Sequence, residues 1–134
     1  MRLRIAVFLL GLGVAMSAGL PFASASTSPF RSGAYKAVVT NAGIVYHSTW
    51  TLMVSAGRVT GTSTWTCCPG KRTDPLSGTV NGNRVVIRRD CSKQGYVGPC
   101  SQTYTGTVNA KGVASGTWAG TGAVSGSTFS LTRA

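Results

Sequence analysis

The chain has 134 residues and carries 13 Lys and Arg against 2 acids, both Asp, with one His and a net charge of +11. Two carboxylates and one imidazole leave little room for general acid–base chemistry or a carboxylate-held metal. The length suits one domain rather than several.

Residues 1–25 read as a secretory signal peptide. Arg2 and Arg4 form its charged start, residues 5–20 are apolar with no acid among them, and Pro21 ends that run. Ala23 and Ala25 occupy the small-residue positions before a cleavage site. The apolar run is short for a membrane span of roughly 20 residues. Cleavage after Ala25 is therefore expected, leaving one domain over 26–134 without a transmembrane segment. Loss of Arg2 and Arg4 lowers the net charge from +11 to +9. A secreted or periplasmic location follows. There Cys67, Cys68, Cys91 and Cys100 read as two disulfides, because the compartment is oxidising. A basic exported chain is drawn to anionic surfaces; acidic glycan or an envelope surface is expected as partner, and nucleic acid is not.

A first strand is marked by 35–39. The clearest strand runs over 46–54, where Tyr46, Ser48, Trp50, Leu52 and Val54 alternate with His47, Thr49, Thr51 and Met53; a period of two sends the sets to opposite faces. After a tight turn at Ala56 and Gly57, residues 59–67 place Val59, Gly61, Ser63 and Trp65 inward and Thr60, Thr62, Thr64 and Thr66 outward. This β-branched, polar outer row favours strand over helix.

The unit repeats. Residues 76–80 reach an Asn81-Gly82 hairpin signal and 85–90 return. Residues 102–108 reach 109–112 and 113–118 return, and Phe129 and Leu131 mark the last strand. A Gly flanked by Ser or Thr recurs at Gly61, Gly78, Gly106 and Gly116, as bent strands require where inner side chains would collide. The expected fold is all-β: a small antiparallel meander barrel of about eight strands, the number at which side chains just fill a closed barrel or leave room for one small ligand. In strand count and rhythm it resembles the calycin-type barrels, which include lipocalins and avidins; the resemblance implies the architecture alone.

Strand direction sorts the loops. Turns after strands two, four and six are short, each with one cation: Arg58, Arg84 and Lys111. At the other end lie two longer loops, 67–75 and 91–100, which hold the cysteines. A bridge between the adjacent Cys67 and Cys68 would be strained. Each is therefore expected to pair with Cys91 or Cys100, tying loop to loop, with the choice open. Around this staple lie Lys71, Arg72, Arg88, Arg89, Lys93 and Tyr96, a cationic patch suited to carboxylate, sulfate or phosphate. The bland alternative is a solvated rim whose cations pair with Asp74 and Asp90.

Inside, Tyr35, Tyr46, Trp50, Trp65, Tyr104, Trp118 and Phe129 face inward with Ser48, Ser63 and Gln102. Such a set can line a small-molecule pocket or pack as a core, and a filled core is the expectation. Catalysis has few candidates. His47 faces outward, Asp74 and Asp90 have basic neighbours, and oxidised cysteines leave zinc without ligands. No catalytic residue, metal or cofactor is expected. The reading is a non-enzymatic module that binds an anionic partner through its stapled end. The alternatives are a carrier of a small apolar ligand and an inhibitor of a secreted enzyme.

Overall fold

The computed structural model describes Gly19 and residues 28–66, 71–92 and 98–134. The expected leader, apart from Gly19, lies outside these residues, as do Cys67, Cys68, Lys93 and Tyr96. Eight strands follow in order: β1 (Gly33–Asn41), β2 (Ile44–Ser55), β3 (Arg58–Trp65), β4 (Arg72–Asn81), β5 (Arg84–Asp90), β6 (Ser101–Val108), β7 (Ala114–Gly120) and β8 (Thr128–Arg133). Each pairs antiparallel with the next, and β8 returns to β1, from Tyr35 opposite Arg133 to Thr40 opposite Thr128, so the sheet is a closed barrel. Among the described residues no helix is long and apolar enough to cross a membrane.

The expected alternation decides what lies inside. Trp50, Leu52, Val59 and Trp65 are buried while His47, Thr49, Thr51 and Met53 are exposed. β4 differs from expectation at its start: Arg72, Thr73, Asp74 and Pro75 belong to the strand rather than to a loop, opposite Trp65, Thr64, Ser63 and Thr62. Pairing with β5 begins only at Leu76. Pro75 thus falls where β4 has β3 alone as a neighbour, the kind of place where a missing N–H is tolerated in a sheet.

The recurrent glycines have a different cause from the one expected. A Cβ on Gly61 would meet the backbone of Thr51 and Leu52, and one on Gly78 the backbone of Val86 and Ile87. The obstruction is the neighbouring strand, not an inner side chain. Gly106 and Gly116 face each other across β6 and β7, so each makes room for the other's strand.

One end of the barrel is plugged by a segment that shows no strand periodicity. Phe30, only 2% exposed, enters below the strands, its ring 5.0 Å from that of Tyr35. The Tyr35 hydroxyl donates to the Arg31 carbonyl at 2.5 Å, and Ser32 and Val54 are bonded through the Ser32 hydroxyl. Above the plug, Leu52, Val59, Val85, Ile87 and Leu131 fill the interior.

Substituting Gly106 with Ala should destabilise the barrel by about 1–3 kcal/mol, the usual range for overpacking. Urea unfolding checks this, with Thr60→Ala on the outer face expected to stay within about 0.5 kcal/mol of the parent.

Candidate functional site

The end opposite the plug is open. Inward side chains at that end of β1 to β7, with Thr121 and Gly122 after β7, leave a cavity of about 290 Å³. Its aromatic lining comes from Tyr46, Trp65, Tyr104 and Trp118, and its polar lining includes Arg72, Arg89 and Gln102. The interior is therefore filled only in part: packed from the plug up to Trp50, hollow above Tyr104. Trp65 and Trp118 line the hollow, whereas Trp50 is fully buried in an edge-to-face contact with Tyr104, at 4.9 Å between rings.

Arg89 organises the wall. Alternation along β5 puts it inward with Val85 and Ile87, and it is only 9% exposed. Its Nε donates to Asp74 Oδ2 at 2.6 Å, and its Nη2 lies 2.5 Å from the same oxygen. Its Nη1 donates to Gln102 Oε1 at 2.9 Å, and its guanidinium carbon sits 4.4 Å from the centre of the Trp65 ring. One side chain from β5 thus holds β3, β4 and β6. Asp74 is completely buried and supplies the opposite charge that such a site requires. Trp65 Nε1 donates to Ser63 Oγ at 3.0 Å, and Gln102 Nε2 donates to the Thr121 carbonyl at 3.0 Å. Asp74 Oδ1, Ser48 Oγ and Trp50 Nε1 are buried without a hydrogen-bond partner among the described residues.

Tyr104 forms the floor. Its hydroxyl donates to Gln102 Oε1 at 2.9 Å. Burial pushes its pKa up to about 12; the nearby Arg89 acts against that shift, and Asp74 adds to it.

The expected site residues separate on the structure. Arg72, half-buried, and Arg89 line the cavity, and Lys71 is exposed beside Arg72. Arg88 points outward, its Nε donating to Ser101 Oγ at 2.8 Å. Lys93 and Tyr96 lie outside the described residues. Arg89 does not belong to a solvated rim: it is inside, neutralised by Asp74. Asp90 accepts from the backbone and the hydroxyl of Ser92, at 3.1 and 2.6 Å.

The expected cross-pairing of cysteines does not form. Cys91 and Cys100 are bonded to each other, with Cα atoms 4.9 Å apart. The reason is register. Asp90 faces Ser101 on the last rung of β5 and β6, so Cys91 and Cys100 occupy the next one, joined also by a backbone bond from Cys91 N to Cys100 O at 3.1 Å. The staple closes one loop instead of linking two. Cys67 and Cys68, outside the described residues, lose both expected partners.

Charge also divides differently. Among the described residues, Lys71, Arg72 and Arg88 are exposed or half-buried cations at the mouth outside the Arg89–Asp74 pair, while Arg31, Arg58, Arg84, Lys111 and Arg133 are all exposed at the plugged end. The plug segment carries Arg31 there and the end of β8 carries Arg133, where a reading of the turns alone does not find them. Comparison with protein-family models, curated proteins and solved structures found no match to this chain.

Asp74→Ala leaves the Arg89 charge buried alone and should cost about 3–5 kcal/mol in urea unfolding, whereas Asp74→Ala with Arg89→Met should recover much of that loss. Tyr104 adds a pH dependence. The unfolded chain releases the phenol proton near pH 10, and the folded chain holds it until about 12. Stability is therefore full below pH 10 and falls as pH rises from about 10 to about 12. Denaturation across this window should show a flatter profile for Tyr104→Phe.

Proposed function

We propose that this is an exported, non-enzymatic binding protein that seats a small ligand in the mouth of its barrel, with an aromatic or apolar body and one anionic group. The observation that carries this reading is Arg72: a half-buried arginine lining an aromatic-walled cavity, without an ion pair to any described acid. Arg89 offers less attraction, since Asp74 already balances it. A guanidinium presents a planar fork that matches a carboxylate, phosphate or sulfate in a way a point charge does not. Tyr46, Trp65 and Trp118 supply flat apolar walls. The volume stands at the lower end for ligand sites, which favours a small molecule over a long acyl chain. The Cys91–Cys100 bond supports the reading by shortening the free part of a loop beside the mouth, since a preorganised site loses less entropy on binding. That bond also suits an oxidising compartment.

This joins two of the expectations from sequence: the anionic partner and the ligand inside the barrel. An enzyme-inhibitor role has no specific observation in its favour.

Calorimetric titration of the mature protein with small aryl carboxylates and their neutral amides tests the reading. The acids should bind and the amides should bind much more weakly. Arg72→Gln should weaken the acids by about 10–100-fold, the equivalent of one charge-assisted hydrogen bond. Equal binding of acid and amide, or no change on substituting Arg72, would remove the anion from the proposal.

A further inference from the structure

The plugged end carries a second candidate surface, independent of the mouth. Arg31, Arg58, Arg84, Lys111 and Arg133 are exposed there. The only two acids in the chain, Asp74 and Asp90, belong to the open half of the barrel. No Asp or Glu side chain is therefore available at this end to neutralise the cluster. We propose that this end docks a polyanionic glycan, a hydrated polymer bearing carboxylate, sulfate or phosphate groups.

Shape and order support a docking face over a merely solvated one. The segment 28–32 crosses the end of the barrel and leaves a groove on each side. One, of about 710 Å³, runs between that segment and the turns at Gly57 and Gly82; the other, of about 330 Å³, runs towards Lys111. Arg31 and Arg133 line both grooves. One is held by its side chain and the other by its backbone. Arg133 Nη2 donates to the Ser32 carbonyl at 2.8 Å, and the Arg31 backbone is bonded to the Tyr35 hydroxyl. The Phe30 ring anchors the segment from below, so the two cations are displayed from a buried support. Four of the five cations are Arg, whose fork suits oxyanions.

The observations favour a polymer over a bilayer. Among the described residues the exposed large apolar side chains are Ile44, Val45, Met53 and Val124. Ile44, Val45 and Val124 are at the mouth end, and Met53 alone is near the plugged end, on the outer face of β2 opposite Thr60. Among the described residues the plugged end thus has five cations and a single exposed large apolar side chain, whereas interfacial anchoring draws on a buried apolar area as well as charge.

The test removes equal charge from each end. Binding of the mature protein to dextran sulfate and to polygalacturonate is measured near 0.1 M salt, where exposed charges are screened over roughly 10 Å. The triple variant R31Q, K111Q and R133Q should lose about tenfold in affinity, and K71Q, R72Q and R88Q less than about threefold. Because Arg133 also holds Ser32, a second triple, R58Q, R84Q and K111Q, covers a folding failure. Its side chains make no hydrogen bond to a described residue, and it too should lose more than the mouth triple. Equal losses from both ends would show bulk charge alone. A larger loss from the mouth triple, or binding to phosphatidylglycerol vesicles but to neither polymer, would also overturn the proposal. Aryl carboxylate binding at the mouth should survive the plugged-end changes, so failure of one site is distinguishable from failure of the other.

Discussion

Closure of the sheet is the constraint on which the rest depends. Once β8 pairs with β1, every strand has a neighbour on both sides over most of its length, and alternation becomes a division between interior and solvent. Closure also brings the two ends of the domain together, placing Arg133 opposite Tyr35 and within reach of Ser32. It requires strands to approach closely where they bend, and the facing pair Gly106 and Gly116 permits that between β6 and β7. A side chain at either position would push against the opposing backbone, with no flexible group able to yield. The same closure makes a meander two-ended: loops of one parity gather at the plug and the others around the mouth.

Within that frame the Arg89–Asp74 pair divides the interior. Burying two charges is expensive, and apolar residues of similar volume would commonly stabilise as well or better. Simple cohesion is therefore a poor account of it. What the pair supplies is position. Arg89 reaches Asp74, Gln102 and the Trp65 ring together, fixing three walls of the mouth above a packed aromatic floor. Because its charge is already balanced, it adds polarity to the cavity with little net attraction for an anion. Arg72, one inward position nearer the mouth than Asp74 on β4, has no such partner among the described acids. The division of labour between the two arginines follows from where the single buried acid sits.

Much of the barrel was legible because its signal is short-range. Alternation in β2 and β3 shows which residues face inward, and Asn81-Gly82 marks a hairpin, without knowledge of distant neighbours. The misreadings all involve longer-range facts. Pro75 looks like loop punctuation, yet it is accommodated within β4 because β5 has not yet joined that strand. Cys91 and Cys100 look like the two ends of a loop, and only the register at Asp90 and Ser101 shows that they are opposite one another. The inward place of Arg89 could have been read by continuing the alternation from Val85 and Ile87, and that of Asp74 by extending it back from Leu76. Phe30 had no such signal, since a plug is defined by the barrel it closes.

The two ends of the molecule differ in how charge meets water, and this bears on how the proposed sites could work together. At the mouth, one acid is buried against Arg89, and the cations that remain are interleaved with aromatic walls and exposed apolar residues. At the plug, cations surround shallow grooves without an Asp or Glu side chain nearby. A long polyanion cannot enter a closed barrel, but it can lie across a groove and meet several guanidinium groups at once. A small acid gains little from that open groove, where water competes for every contact, and more from a cavity whose walls exclude part of the solvent. Size and solvation thus assign the two ligands to opposite ends without requiring different charge chemistry. A protein held to a polyanionic matrix by its plug would then present the mouth away from that matrix, open to small molecules in solution.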